Sequence, residues 1–304
     1  MRAFVDKHRD TYGVEPICKV LQIASSGYRC HAARQRKPEL RCARAKRDEM
    51  LATEIQTVWQ ANMQVYGADK VWHQMNREGT KVARCTVERL MKRMGLQGVR
   101  RGKVIRTTVP DKAAPCPLDR VNRQFKADRP NQLWVSDFTY VNTWQGWQYV
   151  AFVIDVFARR IVGWRVSSSM RTDFVLDALE QALFDRQPER SDALIHHSDR
   201  GSQYVSILYT ERLAEAGIEP SVGSRGDSYD NALAETINGL YKAELIHRRA
   251  PWKTKEALGL ATLEWVAWFN HHRLLSSIGY IPPAEAEVNY YRQLAESNET
   301  EVST

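Results

Sequence analysis

The chain has no run of the roughly 18 consecutive apolar residues that a membrane-spanning helix requires, and its opening, MRAFVDKHRD, has no secretory-signal apolar core. The expectation is a cytoplasmic protein with no membrane partner. Cysteine is scarce as well. Cys18, Cys30, Cys42, Cys85 and Cys116 are odd in number, widely spaced and contain no C-x-x-C pair. That pattern argues against a disulfide framework and against a zinc site, and leaves reduced, partly buried thiols. A glycine-rich phosphate loop is missing, and so is any Ser–His–Asp or Cys–His arrangement at a recognisable motif. The sequence has no internal repeat and no low-complexity tract. What is present suits folded domains: 43% hydrophobic and 26% charged residues over 304 positions, enough for two domains of ordinary size.

Charge is distributed unevenly. Residues 1–130 hold 28 lysines and arginines against 13 acids, a net of +15; the remaining residues hold 16 against 23, a net of −7. A basic arm beside a domain of another kind points to nucleic acid, because releasing counterions from DNA favours binding without any reading of sequence.

The basic part divides into three segments. Residues 1–47 read as a helical, strongly basic segment, in which Arg34–Arg47 could touch phosphates or serve as a charged linker. Residues 48–99 read as a compact helical unit. One helix covers about 48–63 with a stripe of Leu51, Ile55, Val58 and Trp59; a second covers about 68–77 with Val71, Trp72 and Met75; a third covers about 85–94 with Val87, Leu90 and Met91 inward. Helix, short glycine-containing turn and helix is a helix-turn-helix pattern. Its last helix would present Arg89, Lys92 and Arg93 to DNA. Residues 100–131, opening with Arg100 and Arg101 and holding Pro110, Pro115 and Pro117, read as a basic linker that could lie along DNA.

From residue 132 the pattern turns strand-rich. Leu133–Val141 alternates, placing Val135, Asp137, Thr139 and Val141 on one face. Gln148–Phe157 is nearly all apolar, as in a strand buried on both faces, and Arg159–Ser167 supplies a third strand. Short connections make these three an antiparallel meander, with a turn at Gly146. An amphipathic helix over 171–186, a short strand over 193–199, a helix near 204–216, a strand near 218–222 and a helix over about 231–246 complete a mixed sheet flanked by helices. The unit spans 132–246, and 247–304 follows as a helical extension.

Three acids stand out within this unit. Asp137 lies inside the first strand, Asp199 at the end of the fourth and Glu235 on the last helix, with 61 and 35 residues between them. A carboxylate in a central strand is costly unless paired or bound to metal, and clustered carboxylates raise one another's pKa. Oxygen ligands of this kind suit Mg²⁺ or Mn²⁺. Two such ions roughly 3.5–4 Å apart can activate a nucleophile and stabilise a leaving oxygen in phosphoryl transfer. Lys242 follows Glu235 by two helical turns, on the face opposite the stripe of Leu233, Ile237, Leu240 and Tyr241, where it could hold a DNA phosphate. Taken singly, each acid has a plain alternative: a solvent-facing strand acid, a turn residue in DRG, a solvated Glu–Lys face. Asp155 is read as structural, paired with Arg159 or Arg160. Asp227 and Asp230 flank the last helix, with Asp230 a candidate N-cap. His196 and His197 are read as satisfying hydrogen bonds near a strand end rather than binding metal.

At these residues the sequence resembles a known family. WVSDFTYV, HHSDRGSQYVS and GDSYDNALAETINGLYKAEL are similar to the three acidic blocks of insertion-sequence transposases of the IS-three type, which share the retroviral-integrase core, a ribonuclease-H-like fold with a DDE triad. YGADKVWHQMNREG and CTVERLMKRMGL resemble the family's helical DNA-binding segment, WFNHHRLLSSIGYIPPAEAE its C-terminal extension, and YGVEPICKVLQIASSGYR the usual start of its downstream-frame (OrfB) protein. The resemblance covers nearly the whole chain. It implies that Asp137, Asp199 and Glu235 are the catalytic, metal-holding triad, with Lys242 as the basic residue two turns on. It implies metal-dependent strand cleavage and strand transfer at the element's terminal inverted repeats and into target DNA, a homo-oligomer on DNA, a nucleoid-associated location, and two Mg²⁺ ions with Mn²⁺ as substitute. It also implies a partner from the upstream frame (OrfA), or a frameshift fusion with it, since no zipper heptads occur here, and a joined-end circular intermediate. Two other functions fit parts of the chain: a ribonuclease-H-like nuclease that does not join, and a non-catalytic DNA-binding repressor of the element.

Overall fold

The computed structural model describes residues 1–100, 102, 126–189, 193–199, 203–222 and 232–302. Among these, no helix is long and apolar enough to cross a membrane. The first three helices are α1 (Arg2–Tyr12), α2 (Val14–Val20) and α3 (Ser25–Arg36). They close over a small core of Val5, Ile17, Cys18, Tyr28 and Ala32. Of the described cysteines Cys18 alone is buried; Cys30, Cys42 and Cys85 are exposed and all four are free thiols.

The helical unit follows as α4 (Ala43–Ala61), α5 (Ala68–Arg77) and α6 (Arg84–Met94). Leu51, Ile55, Val58, Val71, Met75, Val87, Leu90 and Met91 of the expected stripes are buried, while Trp59 and Trp72 are partly buried against them. α4 starts five residues before the expected 48, because the basic run before Asp48 continues the helix without contributing an apolar residue to the pattern. Gly95, in the left-handed conformation at φ 71°, ends α6.

The sheet contains β1 (Leu133–Thr143), β2 (Gly146–Asp155), β3 (Arg160–Ser167), β4 (Ile195–Ser198) and β5 (Glu219–Val222) in the order β3-β2-β1-β4-β5. The first three are antiparallel, while β4 runs parallel to β1 and β5 parallel to β4. This is the expected ribonuclease-H-like mixed sheet. Alternation along β1 divides the core. Trp134 faces α7 (Thr172–Arg186) and α8 (Ile207–Glu215), together with Ala151, Val153, Phe174, Leu179 and Leu213. Val135 and Val141 face the opposite layer of α9 (Ala232–Tyr241) and α11 (Lys255–His271), with Phe152, Ile237, Tyr241, Trp265 and Phe269. α7 lies so close to β3 that a Cβ at Gly163 would sit 2.0 Å from the Ala178 carbonyl oxygen; only glycine permits that approach.

After α9 the helix continues through a π-helical turn, Lys242–Ile246, and α10 (His247–Arg249). α12 (Pro283–Val302) closes the chain. The segment after the sheet unit ties the helical unit to the core. The Tyr66 hydroxyl donates to the His272 carbonyl at 3.0 Å and accepts from the Leu274 amide at 2.8 Å. Trp268 Nε1 donates to Asn62 Oδ1 at 3.3 Å, the Tyr280 hydroxyl donates to Asp69 at 2.8 Å, and His73 stacks on Tyr280 with ring centroids 3.6 Å apart.

Asp155 differs from its expected pairing. Its partner is neither Arg159 nor Arg160 but Arg186 on α7, at 3.0 Å, and it also accepts from the backbone amides of Asn131 and Phe157. Arg186 in turn holds Glu287 of α12 through two bonds of 2.8 and 2.9 Å. The three charges are buried together. Arg160, opposite Asp155 in the β2–β3 register, pairs with Glu287 instead.

Candidate active site

β4 pairs with β1 only over Leu133–Ser136, with Ser136 opposite Ser198. Asp137 and Asp199 are therefore the next residues on two adjacent parallel strands, which lie about 4.8 Å apart. One carboxylate follows the last paired residue of each strand, and the edge of β1 beyond that point is uncovered by β4. α9 crosses this opening. Asn238, three residues after Glu235 and so on the same helical face, donates from Nδ2 to Asp137 Oδ2 at 2.9 Å. The backbone amide of Phe138 donates to the other oxygen, Oδ1, at 2.8 Å. Asp137 is half-buried; Asp199 and Glu235 are exposed.

Electrostatics tie the three together. Burial first, then the Asp199 charge, push the Asp137 carboxyl up to about 7; Glu235 adds to the rise, and the bonds from Phe138 and Asn238 oppose it. Glu235 is also raised, by burial and then by Asp199. Like charges crowded at one end of a sheet produce this pattern, and perturbed carboxyls in such a cluster mark functional sites. Two buried polar atoms border it without a hydrogen-bond partner among the described residues: the Tyr204 hydroxyl, which interacts electrostatically with Asp137 and Asp199, and Asn238 Oδ1. Oxygen-only donors, excess negative charge and neighbouring orphaned polar atoms suit a hydrated divalent cation. Among the described residues no three His, Cys, Asp or Glu side chains stand close enough to hold a metal ion.

Lys242 keeps its two-turn spacing from Glu235 and begins the π-helical turn, a feature common near functional sites. It is half-buried, and its ammonium lies 4.7 Å from the centre of the Tyr140 ring. Burial lowers its pKa, and the nearby Asp137 charge opposes the shift. The histidines behave as structural groups. His196 Nε2 is 2.7 Å from Ser136 Oγ and 3.1 Å from the Tyr209 hydroxyl, and His197 Nδ1 is 2.9 Å from Ser221 Oγ. Burial drives the His196 pKa down to about 3, so the ring is neutral.

Residues expected to contact DNA fare unequally. Arg89 makes a two-pronged pair with Asp48 on α4 at 2.8 and 3.0 Å while its side chain stays 41% exposed, and Arg93 lies 3.9 Å from the same carboxylate. Asp48 falls one turn before the α4 stripe, so sequence spacing gave no sign of this pair. Lys92 and Arg100 are exposed. Arg101, like Asp227, Asp230 and Cys116, lies outside the described residues. Sequence reading missed Asn238 and Tyr204, whose roles depend on a contact between distant elements.

Two family models described as integrase core domain match residues 127–228 and 216–283, and one described as HTH-like domain matches 46–104. A protein of Shigella sonnei named transposase for insertion sequence element IS629 is 60% identical, over 97% of this chain and 98% of its own. A putative transposase for insertion sequence element IS986/IS6110 of Mycobacterium tuberculosis is 56% identical, over 90% of this chain and 98% of its own. Transposase InsF for insertion sequence IS3A of Escherichia coli K12 is 30% identical, over 80% and 83%. Among solved structures, the HTLV-2 integrase catalytic core domain in complex with magnesium aligns at 16% identity and a TM-score of 0.43, over 53% of this chain and 99% of that one.

Proposed function

The chain belongs to the insertion-sequence transposases of the IS-three type, with an integrase core and an HTH-like domain, and on that premise we propose that Asp137, Asp199 and Glu235 form its site for cutting and joining DNA strands. The observation that carries this is placement: Asp137 and Asp199 follow the last paired residues of the adjacent parallel strands β1 and β4, and α9 meets Asp137 through Asn238, one turn from Glu235; the Asp199 charge raises both Asp137 and Glu235. Asp137 and Asp199 would hold one divalent cation, and Asp137 and Glu235 a second. Mg²⁺, or Mn²⁺ in its place, would supply charge neutralisation and polarisation of the scissile phosphate when bound.

This chain's own residues do the positioning. Asn238 and the Phe138 amide fix both oxygens of Asp137, leaving its carboxylate a single orientation. Lys242, beside Asp137, places a positive charge where a strand backbone would enter. Water attacks a phosphodiester at the element end, leaving a 5′-phosphate and releasing a 3′-hydroxyl; that hydroxyl then attacks a second phosphodiester in the same site, joining to its phosphorus and displacing that strand's own 3′-oxygen as a hydroxyl. Positioning and fixed charge supply most of the rate in such transfers. The substrates are the element's terminal repeats and a target duplex, the working form is an oligomer on DNA, and an upstream-frame partner assists end recognition. The HTH-like unit binds duplex through exposed cations such as Lys92 and Arg100.

A labelled terminal-repeat oligonucleotide, incubated with the full chain and Mg²⁺, tests the reading. Cleavage and joined products should appear, vanish with a chelator, and fall at least about a hundredfold in Asp137→Asn, Asp199→Asn and Glu235→Gln, while DNA binding holds. Cleavage without any joined product would instead favour a simple nuclease.

A further inference from the structure

The β1–β2 hairpin carries a surface that the cleavage chemistry does not use. Three large rings stand in solvent there: Tyr140 at 58% exposure, Trp144 at 70% and Trp147 at 54%. Rings of this size are seldom left so open in a well-packed chain, and a cluster of them marks a binding surface. Tyr140 and Trp147 meet edge to face, centroids 5.3 Å apart. Each end of the cluster has a lysine: Lys242 lies 4.7 Å from the centre of the Tyr140 ring, and Lys253 lies 5.3 Å from that of Trp144.

The turn that carries the rings is anchored at three points. The Trp144 amide donates to the Trp252 carbonyl at 3.0 Å, Thr143 Oγ1 donates to the Gly146 carbonyl at 2.8 Å, and the Lys255 amide donates to Gln145 Oε1 at 3.0 Å. Tyr140 is three residues along β1 from Asp137 and so on the opposite face of the strand. The link between them is Lys242, beside the stretch of β1 that extends past its pairing with β4: its ammonium lies 4.7 Å from the centre of the Tyr140 ring and within the field of Asp137.

We propose that Tyr140, Trp144 and Trp147 form a stacking platform for unpaired bases of the DNA strand beside the cut site, with Lys242 and Lys253 holding that strand's phosphates. Flat π-faces flanked by cations are the chemistry that binds single-stranded nucleic acid, because every base offers a face and every nucleotide a negative charge. A protein partner would be expected to bring apolar side chains to an apolar floor; here the rings are edged by two ammonium groups, which complement an anion. The inference rests on the reading of the triad for its location, and not for its chemistry.

The test uses the full chain without divalent metal and a terminal-repeat duplex ending in a short unpaired overhang that contains the fluorescent base 2-aminopurine. Binding should quench the fluorophore by stacking. Trp144→Leu with Trp147→Leu should abolish the quench and weaken overhang binding about tenfold per ring, with blunt-duplex affinity changed less than twofold. Trp147→Phe, which keeps a π-face, should restore part of it. Because the rings are exposed, the leucine variants should unfold at the wild-type temperature. An unchanged quench in the double variant overturns the proposal, as does equal loss on blunt and overhang DNA, or a change confined to oligomeric state. Glu235→Gln should quench like wild type; a Glu235→Gln protein that quenches and, once Mg²⁺ is added, still cuts would defeat the triad reading and leave the platform standing.

Discussion

At the residue scale, Asp137 is a strand carboxylate whose proton is held tightly by its surroundings. Its pKa of about 7 lies well above that of an unfolded aspartate, near 4. A group raised in the folded state contributes stability that is fully present below its unfolded pKa and lost as pH rises through its folded value. The chelated protein should therefore melt at progressively lower temperature between about pH 4 and 7. Asp137→Asn should remove that part of the slope and raise the melting temperature at pH 8, by about 2–4 °C per kcal/mol recovered; an unaltered slope would show that Asp137 is not the group. Asn238 acts on the same carboxylate. Asn238→Ala frees Asp137 Oδ2 and should weaken Mg²⁺ binding about tenfold to a hundredfold, the usual effect of losing a group that orients a ligand, as read by calorimetric titration. Type and spacing left Asp137, Asp199 and Glu235 each a plain alternative; their combination and the family resemblance of the motifs around them singled them out. Asn238 was not legible: an asparagine on a helix gives no sign, in sequence, of the strand it meets.

At the element scale, alternation and helical stripes gave β1, β2 and the helices of both layers, since one-sided burial forces those periods. What the patterns could not give was which charged residues meet across elements. Asp155, Arg186 and Glu287 come from β2, α7 and α12, far apart in the chain. Arg186→Met should destabilise the fold by about 3–5 kcal/mol, because it leaves Asp155 buried without its cation while Glu287 keeps only Arg160; urea unfolding measures this, and a loss under 1 kcal/mol would mean that solvent reaches the cluster. The contact between β3 and α7 makes a second demand. Gly163→Ala drives a methyl into the Ala178 carbonyl and should cost at least about 1–3 kcal/mol, far more than an alanine on an exposed strand.

At the scale of the whole molecule, the C-terminal extension turns a helical unit and a sheet unit into one body. Their apolar residues form a continuous core, and Tyr66 bonds both His272 and Leu274. That junction is not legible in the sequence, because neither side announces its partner in its own periodicity. The excess of positive charge on the N-terminal side makes affinity for duplex strongly salt-dependent. The measurement that tests the central claim most directly is excision of a marked element in cells, with its own flanking repeats and the upstream frame supplied, comparing the intact chain with Glu235→Gln. Joined-end circles are expected from the intact chain and none from the variant at equal protein level. Equal yields of circles from the two would contradict it, removing Glu235 from the chemistry and with it the convergence of three carboxylates on one site.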